Sequence, residues 1–364
     1  MNSNDIVKIS FLGDISLNNK YIDLYKTGVN PFEKISQNIT NSDLVIGNLE
    51  CLATGKDGEN ELKVPRLGTN VETLNYLTDI NINIVTLAHN HIYDHLESGY
   101  VITKEFLKSN HIDSIGAGIS INEASKPIYK EINRLKFCFL NYVTKDTNPN
   151  LPNNVSIKLN YFDIETAVSD VKEVRSKVDF VIILLHWGGL TENGYYPDLN
   201  QPIYAKRLID IGADLIIGHH SHTMQPFEKY KGKYIFYSLG NFCFDDVVYK
   251  GKMYYKLGNR QKKSIIVNAS FFNNDYKIDL LPIYNNELII EPKKRLIYIY
   301  KFRNFVFSII KAFPFLWKFY FYQFKKTNRI YRYFFVKEGS FWGKLSSILI
   351  KKGTKLFANN YSKY

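Results

Sequence analysis

Seven short runs of Ile, Val, Leu and Phe, each ending abruptly in polar residues, recur through the first 240 residues of this chain. They occupy residues 6–12, 44–46, 82–87, 137–140, 180–185, 215–217 and 234–237. Near-continuous apolar runs this short suit strands buried on both faces, the condition of a parallel or mixed sheet covered by helices. Between them, residues 69–78, 97–109, 165–177 and 201–211 carry helical spacing; in the last, Ile203, Leu208 and Ile211 share a face and Gly212 stops the helix. Alternating β and α segments predict a layered α/β sandwich.

Parallel strands bring their carboxyl ends to one rim, and that rim is where open α/β sheets bind ligands. The polar residues that close the runs are Gly13-Asp14, Gly47-Asn48-Leu49-Glu50, Ala88-His89-Asn90-His91 with Asp94, His186-Trp187-Gly188-Gly189, Gly218-His219-His220-Ser221-His222 and Ser238-Leu239-Gly240-Asn241. Six of the eight histidines lie in these motifs and His95 directly follows Asp94; only His111 is remote, so the imidazoles are concentrated where the fold would gather them. Taken singly, each group has an ordinary reading: Gly-Asp after a strand is usually a turn, and a strand-tip His is usually hydrogen-bonded. Together, imidazoles and carboxylates on one rim would repel or go unsatisfied without a cation. Imidazole, carboxylate and amide oxygen suit Mn²⁺, Fe or Zn²⁺, so one or two divalent ions are expected.

Gly13-Asp14, Asn48-Leu49-Glu50, Asn90-His91-x-x-Asp94, His186-Trp187-Gly188, Gly218-His219-His220-Ser221-His222 and the block Tyr237–Phe242 with Asp245 resemble the CapA family of capsule biosynthesis proteins, over about residues 8–246. That family is associated with poly-γ-glutamate and other capsules and is similar to the calcineurin-like metallophosphoesterases. The resemblance implies an αββα-type sandwich of the metallophosphatase fold, with Asp14 as a metal carboxylate, Glu50 able to bridge two metals, and Asn90 giving its amide oxygen. It further implies His186 and His222 as ligands, joined by His219 or His220. Gly-His spacing favours His219, whereas His-x-His spacing favours His220. His91, with Asp94, would face the substrate and move a proton. Asn48, Glu192, Ser238, Asn241 and Asp245 would support the ligands or touch substrate; for Glu192 a solvated loop carboxylate is an equal alternative.

Three positions depart from the patterns. Ser16 stands where the wider superfamily has the histidine of Asp-x-His, Glu50 where it has the second-strand Asp, and Leu96 where the CapA family usually has Gly. The resemblance implies a metal-dependent hydrolase acting on a phosphoester or amide in capsule or cell-envelope polymer production. The rival expectation is a non-catalytic assembly or export component beside a capsule synthase, which the missing imidazole at Ser16 favours. Expected partners are the envelope polymer or its precursor and synthase subunits.

The formal charge of +12 suggests nucleic acid until it is located. Residues 293–364 hold 17 Lys/Arg and one acid, which leaves 30 basic and 34 acidic residues before them. The same stretch holds 22 of the 55 aromatics. A boundary is therefore expected at 291/292, with a metal-binding domain before it and a basic, aromatic tail after it. In the tail Lys301, Asn304, Ser308, Lys311, Lys318 and Lys325 form a narrow polar stripe, with a kink at Pro314. Such a segment suits an anionic membrane surface; packing on the sheet domain or a partner is the alternative. It is too apolar for a nucleic-acid groove and carries no recognisable binding module. The first residues lack the basic and long apolar regions of a signal peptide, and the three cysteines are widely spaced. The expectation is a cytoplasmic protein peripheral to the inner face of the membrane.

Overall fold

The computed structural model describes residues 6–153 and 155–331. The strands of its two large sheets are, in chain order, β1 (Val7–Ile15), β2 (Leu44–Leu49), β3 (Ile84–Thr86), β4 (Asp113–Ile115), β5 (Ile128–Ile132), β6 (Leu135–Val143), β7 (Phe180–His186), β8 (Leu215–His219), β9 (Phe227–Tyr230), β10 (Lys233–Phe236), β11 (Asn241–Cys243), β12 (Lys263–Phe272), β13 (Asp275–Asn286) and β14 (Ile289–Pro292). One sheet runs β14-β13-β12-β1-β2-β3-β4, with β11 pairing alongside the end of β1; the other runs β9-β10-β8-β7-β6-β5. The β1-β2-β3-β4 and β6-β7-β8-β10 pairings are parallel, and the outer strands return antiparallel.

Period-two alternation inside the apolar runs explains the layering. Val7, Ile9 and Phe11 of β1 pack with Phe180, Ile182 and Leu184 of β7 in a core between the sheets. Leu12 points the other way, into a second core with Tyr100 and Leu107, and Ile15 joins it there because the strand's register shifts between Phe11 and Ile15. Tyr100 and Leu107 belong to helix α1 (Leu96–Ser109). Val181, Ile183 and Leu185 point into a third core, built with helices α2 (Ile164–Arg175) and α3 (Gln201–Asp210). The order helix, sheet, sheet, helix is the sandwich expected from the sequence.

Residues 69–78 do not form the expected helix: a 3-10 turn, Glu72–Asn75, is followed by one α-turn, Tyr76–Asp79. Asn and Thr side chains bind the local backbone here, with Thr73 N donating to Asn70 Oδ1 and Asn75 Nδ2 to the Glu72 carbonyl, which competes with a longer helix. The antiparallel strands β12 and β13 lie beyond the region where the repeated pattern was legible.

After β14 the chain continues as α4 (Leu296–Ala312) and α5 (Pro314–Tyr331), broken at Phe313. The compact unit extends through Lys318, past the expected 291/292 boundary. Tyr300 and Phe307 of α4 and the following Trp317 are buried in the sheet cores. Phe227 N donates to Asn304 Oδ1 at 3.0 Å, Arg303 donates to the Met224 carbonyl at 2.8 Å, and Lys311 pairs with the buried Glu228 at 2.6 Å. The inner side of α4 is therefore part of the domain. The second unit begins at Phe319, and residues 332–364 of the expected tail lie outside the described residues. Among the described residues no single helix is long and apolar enough to cross a membrane.

Candidate metal centre

The parallel register sets the site. Asp14 of β1 pairs with Asn48 of β2 on one side and Asn241 of β11 on the other, while His186 of β7 pairs with His219 of β8. Strand ends from both sheets thus meet at one rim. Gly13 allows this approach: a Cβ there would lie 1.9 Å from the Gly240 carbonyl oxygen, whereas Asp14 N now donates to that oxygen at 2.9 Å.

Asn48 Nδ2 donates to Asp14 Oδ1 at 2.9 Å and lies 3.3 Å from His186 Nδ1. That contact assigns the His186 proton to Nε2, which sits 2.9 Å from Asn90 Oδ1 and 3.0 Å from His220 Nδ1. His222 Nδ1 donates to Asn241 Oδ1 at 2.9 Å and lies 3.4 Å from Asp14 Oδ2; its Nε2 is 3.7 Å from Glu50 Oε1. His186 Nε2 is 3.9 Å from the same oxygen. Glu50, His220 and His222 each offer a ligand atom within 4.8 Å of the others.

His220 and His222 adopt left-handed backbone, at φ 89° and 55°. Both conformations are costly for residues other than glycine, and the strain is concentrated where the imidazoles turn toward the carboxylates. His219 is directed elsewhere: its Nε2 donates to the Leu12 carbonyl at 3.1 Å. The structure thus groups His220, and not His219, with Glu50 and His222.

Both Glu50 oxygens and His220 Nε2 are buried without a hydrogen-bond partner. Buried polar atoms are rarely left so, and a carboxylate with imidazoles is the donor set that a divalent transition metal takes. The residues present fit such an ion. Electrostatics agree. Burial pushes the Glu50 carboxyl up to about 8, against the opposing charge of His222. Burial pushes His222 down, but Glu50 and Asp14 outweigh it and raise the imidazole to about 10. Burial likewise raises Asp14, but its contacts with His222 and Asn48 outweigh that and hold it below the usual carboxylate range. Burial lowers His220 to about 4 and holds His186 well below the ordinary imidazole value, so both are neutral; His220 Nε2 is free to ligate, whereas His186 would give up its Nε2 proton on binding an ion.

His91 lies beside this cluster. Its Nδ1 is 2.5 Å from Asp94 Oδ2, and Asp94 also accepts from Leu67 N at 2.7 Å. Lys63, on the 54–67 loop, donates to the Asn90 carbonyl and lies 3.6 Å from Asp94 Oδ1. Nothing in the sequence distinguished Lys63 from the other charged residues of its loop. His89 was passed over too, although it adjoins Asn90; it is buried, with Nε2 unpartnered and its ring 6.0 Å from that of His186. Asp146 acts on His220 through its charge and has one unpartnered oxygen.

The supporting residues divide. Asn48 and Asn241 touch the cluster, and the Glu192 charge acts on Glu50, His220 and His222. Ser238 accepts from Gly240 N within its own turn, and Asp245 pairs with Lys20. Ser16 donates to Asn18 Oδ1 at 2.8 Å. Leu96 has φ 54°, a left-handed conformation that accounts for the usual glycine there.

Residues 8–246 match the bacterial capsule synthesis protein PGA_cap family. The chain belongs to that family. Its relatives include the PGA biosynthesis protein CapA of Bacillus subtilis (strain 168), 33% identical over 258 residues, covering 67% of this chain and 64% of the relative. The capsule biosynthesis protein CapA of Bacillus anthracis is 30% identical over 258 residues, covering 66% of this chain and 61% of the relative. More than a third of each relative thus lies outside the match. Among solved structures, the 5′-nucleotidase precursor of Thermus thermophilus is similar at 14% identity and TM-score 0.40, covering 76% of this chain and 54% of that one. The NAD nucleotidase of Haemophilus influenzae is similar at 13% identity and TM-score 0.43, covering 77% of this chain and 50% of that one. In this PGA_cap chain the matched segment contains every strand-end residue of the cluster and ends before β12.

Proposed function

We propose that this chain is a metal-dependent hydrolase acting on a phosphoester or amide bond in the production of a capsule or cell-envelope polymer of the poly-γ-glutamate type. The observation that carries the reading is the unpartnered Glu50 carboxylate facing His220 and His222, with the His91–Asp94 pair beside it. Asp14, Glu50, Asn90, His186, His220 and His222 would hold one or two divalent ions, Mn²⁺, Fe or Zn²⁺. An ion bound there supplies Lewis acidity and neutralises developing negative charge.

The protein's own groups do the rest. Asn48 and Asn241 fix the orientation of His186 and His222, which sets the ring atoms presented to the ion. Asp94 holds the Nδ1 proton of His91 and stabilises the imidazolium, so His91 Nε2 is the atom that takes or gives a proton. Lys63 offsets the Asp94 charge. The polymer or its precursor is the substrate class, and synthase subunits are the partners this role calls for.

The test is His91→Ala assayed with Mn²⁺ on phosphodiester and amide substrates, with metal content measured in parallel. Metal should be retained and turnover should fall by about 10²-fold or more. Unchanged turnover overturns the role of His91. Absence of turnover in the wild-type chain on every substrate supports a second reading, a non-catalytic assembly component of a capsule synthase. That reading is favoured by Ser16, whose hydroxyl is tied to Asn18 where a further imidazole would complete the site.

A further inference from the structure

The outward side of α4 carries Tyr298, Phe302, Phe305 and Ile309, and Phe313 and Phe315 are also exposed at the sharp helix break that follows; these six are 40–73% exposed. Spacings of four, three and four place the helical members on one stripe. Unlike an ordinary surface helix, α4 is apolar on its outward side as well as on its buried side. Its Arg303, Asn304 and Lys311 bond inward to Met224, Phe227 and Glu228 beside the buried Tyr300 and Phe307, while Tyr298, Phe302 and Phe305 face out. A contiguous apolar face of this kind is uncommon on a soluble surface and marks an interaction site.

We propose that this face docks on the interfacial zone of an anionic lipid bilayer. Charge selects the occupant. No Asp or Glu occurs between Lys293 and Tyr331, whereas Lys293, Lys294, Arg295, Lys301 and Lys318 are exposed on or next to the stripe. Aromatics flanked by Lys and Arg match the boundary between headgroups and acyl chains. A second copy of the chain would bring the same cations against one another and is disfavoured. By length and composition α4 and the start of α5 could cross only as a bent pair, but Leu296, Tyr300 and Phe307 hold the inner side of α4 in the cores of the domain, which leaves its outward side alone to meet lipid. The inner side of α4 also reaches the loop that carries Glu192. Arg303 lies 4.2 Å from the Tyr195 ring centroid, and Trp317 Nε1 donates to the Pro197 carbonyl at 3.3 Å. Docking would thus hold the strand-end site at a set height above the lipid. The inference is independent of whether that site hydrolyses anything.

The experiment is flotation of the full chain with vesicles containing phosphatidylglycerol and with vesicles of phosphatidylcholine alone. Phe302→Ser/Phe305→Ser and Lys301→Glu are run beside the wild type. Both changes leave the buried side of α4 intact, so an unchanged melting temperature shows that the fold is retained. The wild-type chain should float with the anionic vesicles and not with the neutral ones. The double serine variant should partition on the order of tenfold or more weakly, and Lys301→Glu about fivefold or more weakly. No flotation of the wild type overturns the proposal. So does unchanged flotation of the double variant, which would assign binding to another segment. Concentration-dependent self-association that the double variant abolishes would assign the face to a second copy and overturn it as well.

Discussion

Replacing Glu50 by Gln should have opposite effects with and without metal. In the metal-free chain the buried carboxyl, ordinarily at 4.5, holds its proton up to about 8 because burial penalises the ionised form. A raised acid contributes stability that falls as pH rises, since the unfolded chain ionises first. The loss begins near 4.5 and is complete above about 8. Each pH unit in that window is worth about 1.4 kcal/mol, so at neutral pH the penalty is at most about 3 kcal/mol. Glutamine does not titrate and escapes it. Part of the gain is returned through His222, whose imidazole is held up to about 10 by Glu50 and Asp14 against burial. Its contribution is full below 6.5 and lost as pH rises through about 10; removing the Glu50 charge weakens it. The net expectation is stabilisation of metal-free Glu50→Gln by about 1–3 kcal/mol near neutral pH, shrinking toward zero near pH 5. Mn²⁺ should raise the melting temperature of the wild type and do much less for the variant, which has lost an anionic ligand. Urea unfolding in chelator across pH, with thermal melts in added Mn²⁺, reads both effects. A metal-free variant less stable than wild type near neutral pH, or an equal response of both proteins to Mn²⁺, would refute the reasoning.

Elemental analysis should show His220→Ala and His222→Ala depleted of metal while His219→Ala keeps it, because only the last ring is directed to the Leu12 carbonyl. His219→Ala should instead lose about 1–3 kcal/mol of stability by leaving that carbonyl unpaired; metal depletion by His219→Ala alone would reverse the assignment. At Leu96, with φ 54°, glycine relieves left-handed strain that alanine keeps, so Leu96→Gly should exceed Leu96→Ala in stability by about 1 kcal/mol in urea unfolding. Equal midpoints would show that the strain is not felt.

The sequence by itself determined that the apolar runs form covered strands of a layered α/β fold, and which residues close them. Apolar runs such as 180–185 can be buried on both faces only inside a covered sheet. Parallel pairing then gathers Asp14, Glu50 and Asn90 at the end of one sheet, and the packing of the second sheet against it brings His186 to them. The family was legible for the same reason, because its motifs are the strand-end residues themselves. Choices among chemically equivalent neighbours were left to the tertiary structure. His219 and His220 are identical in type, and a left-handed turn at His220 separates their directions. Lys63 reaches Asp94 only because its loop folds back over the site, a contact between residues 31 apart in the chain that no local pattern encodes. The basic, aromatic composition after residue 292 signalled a change of character, yet the direction of α4 depended on partners far away in sequence. Glu228 and Met224 draw Lys311 and Arg303 inward beside the buried Tyr300 and Phe307, and Tyr298, Phe302 and Phe305 are left facing outward.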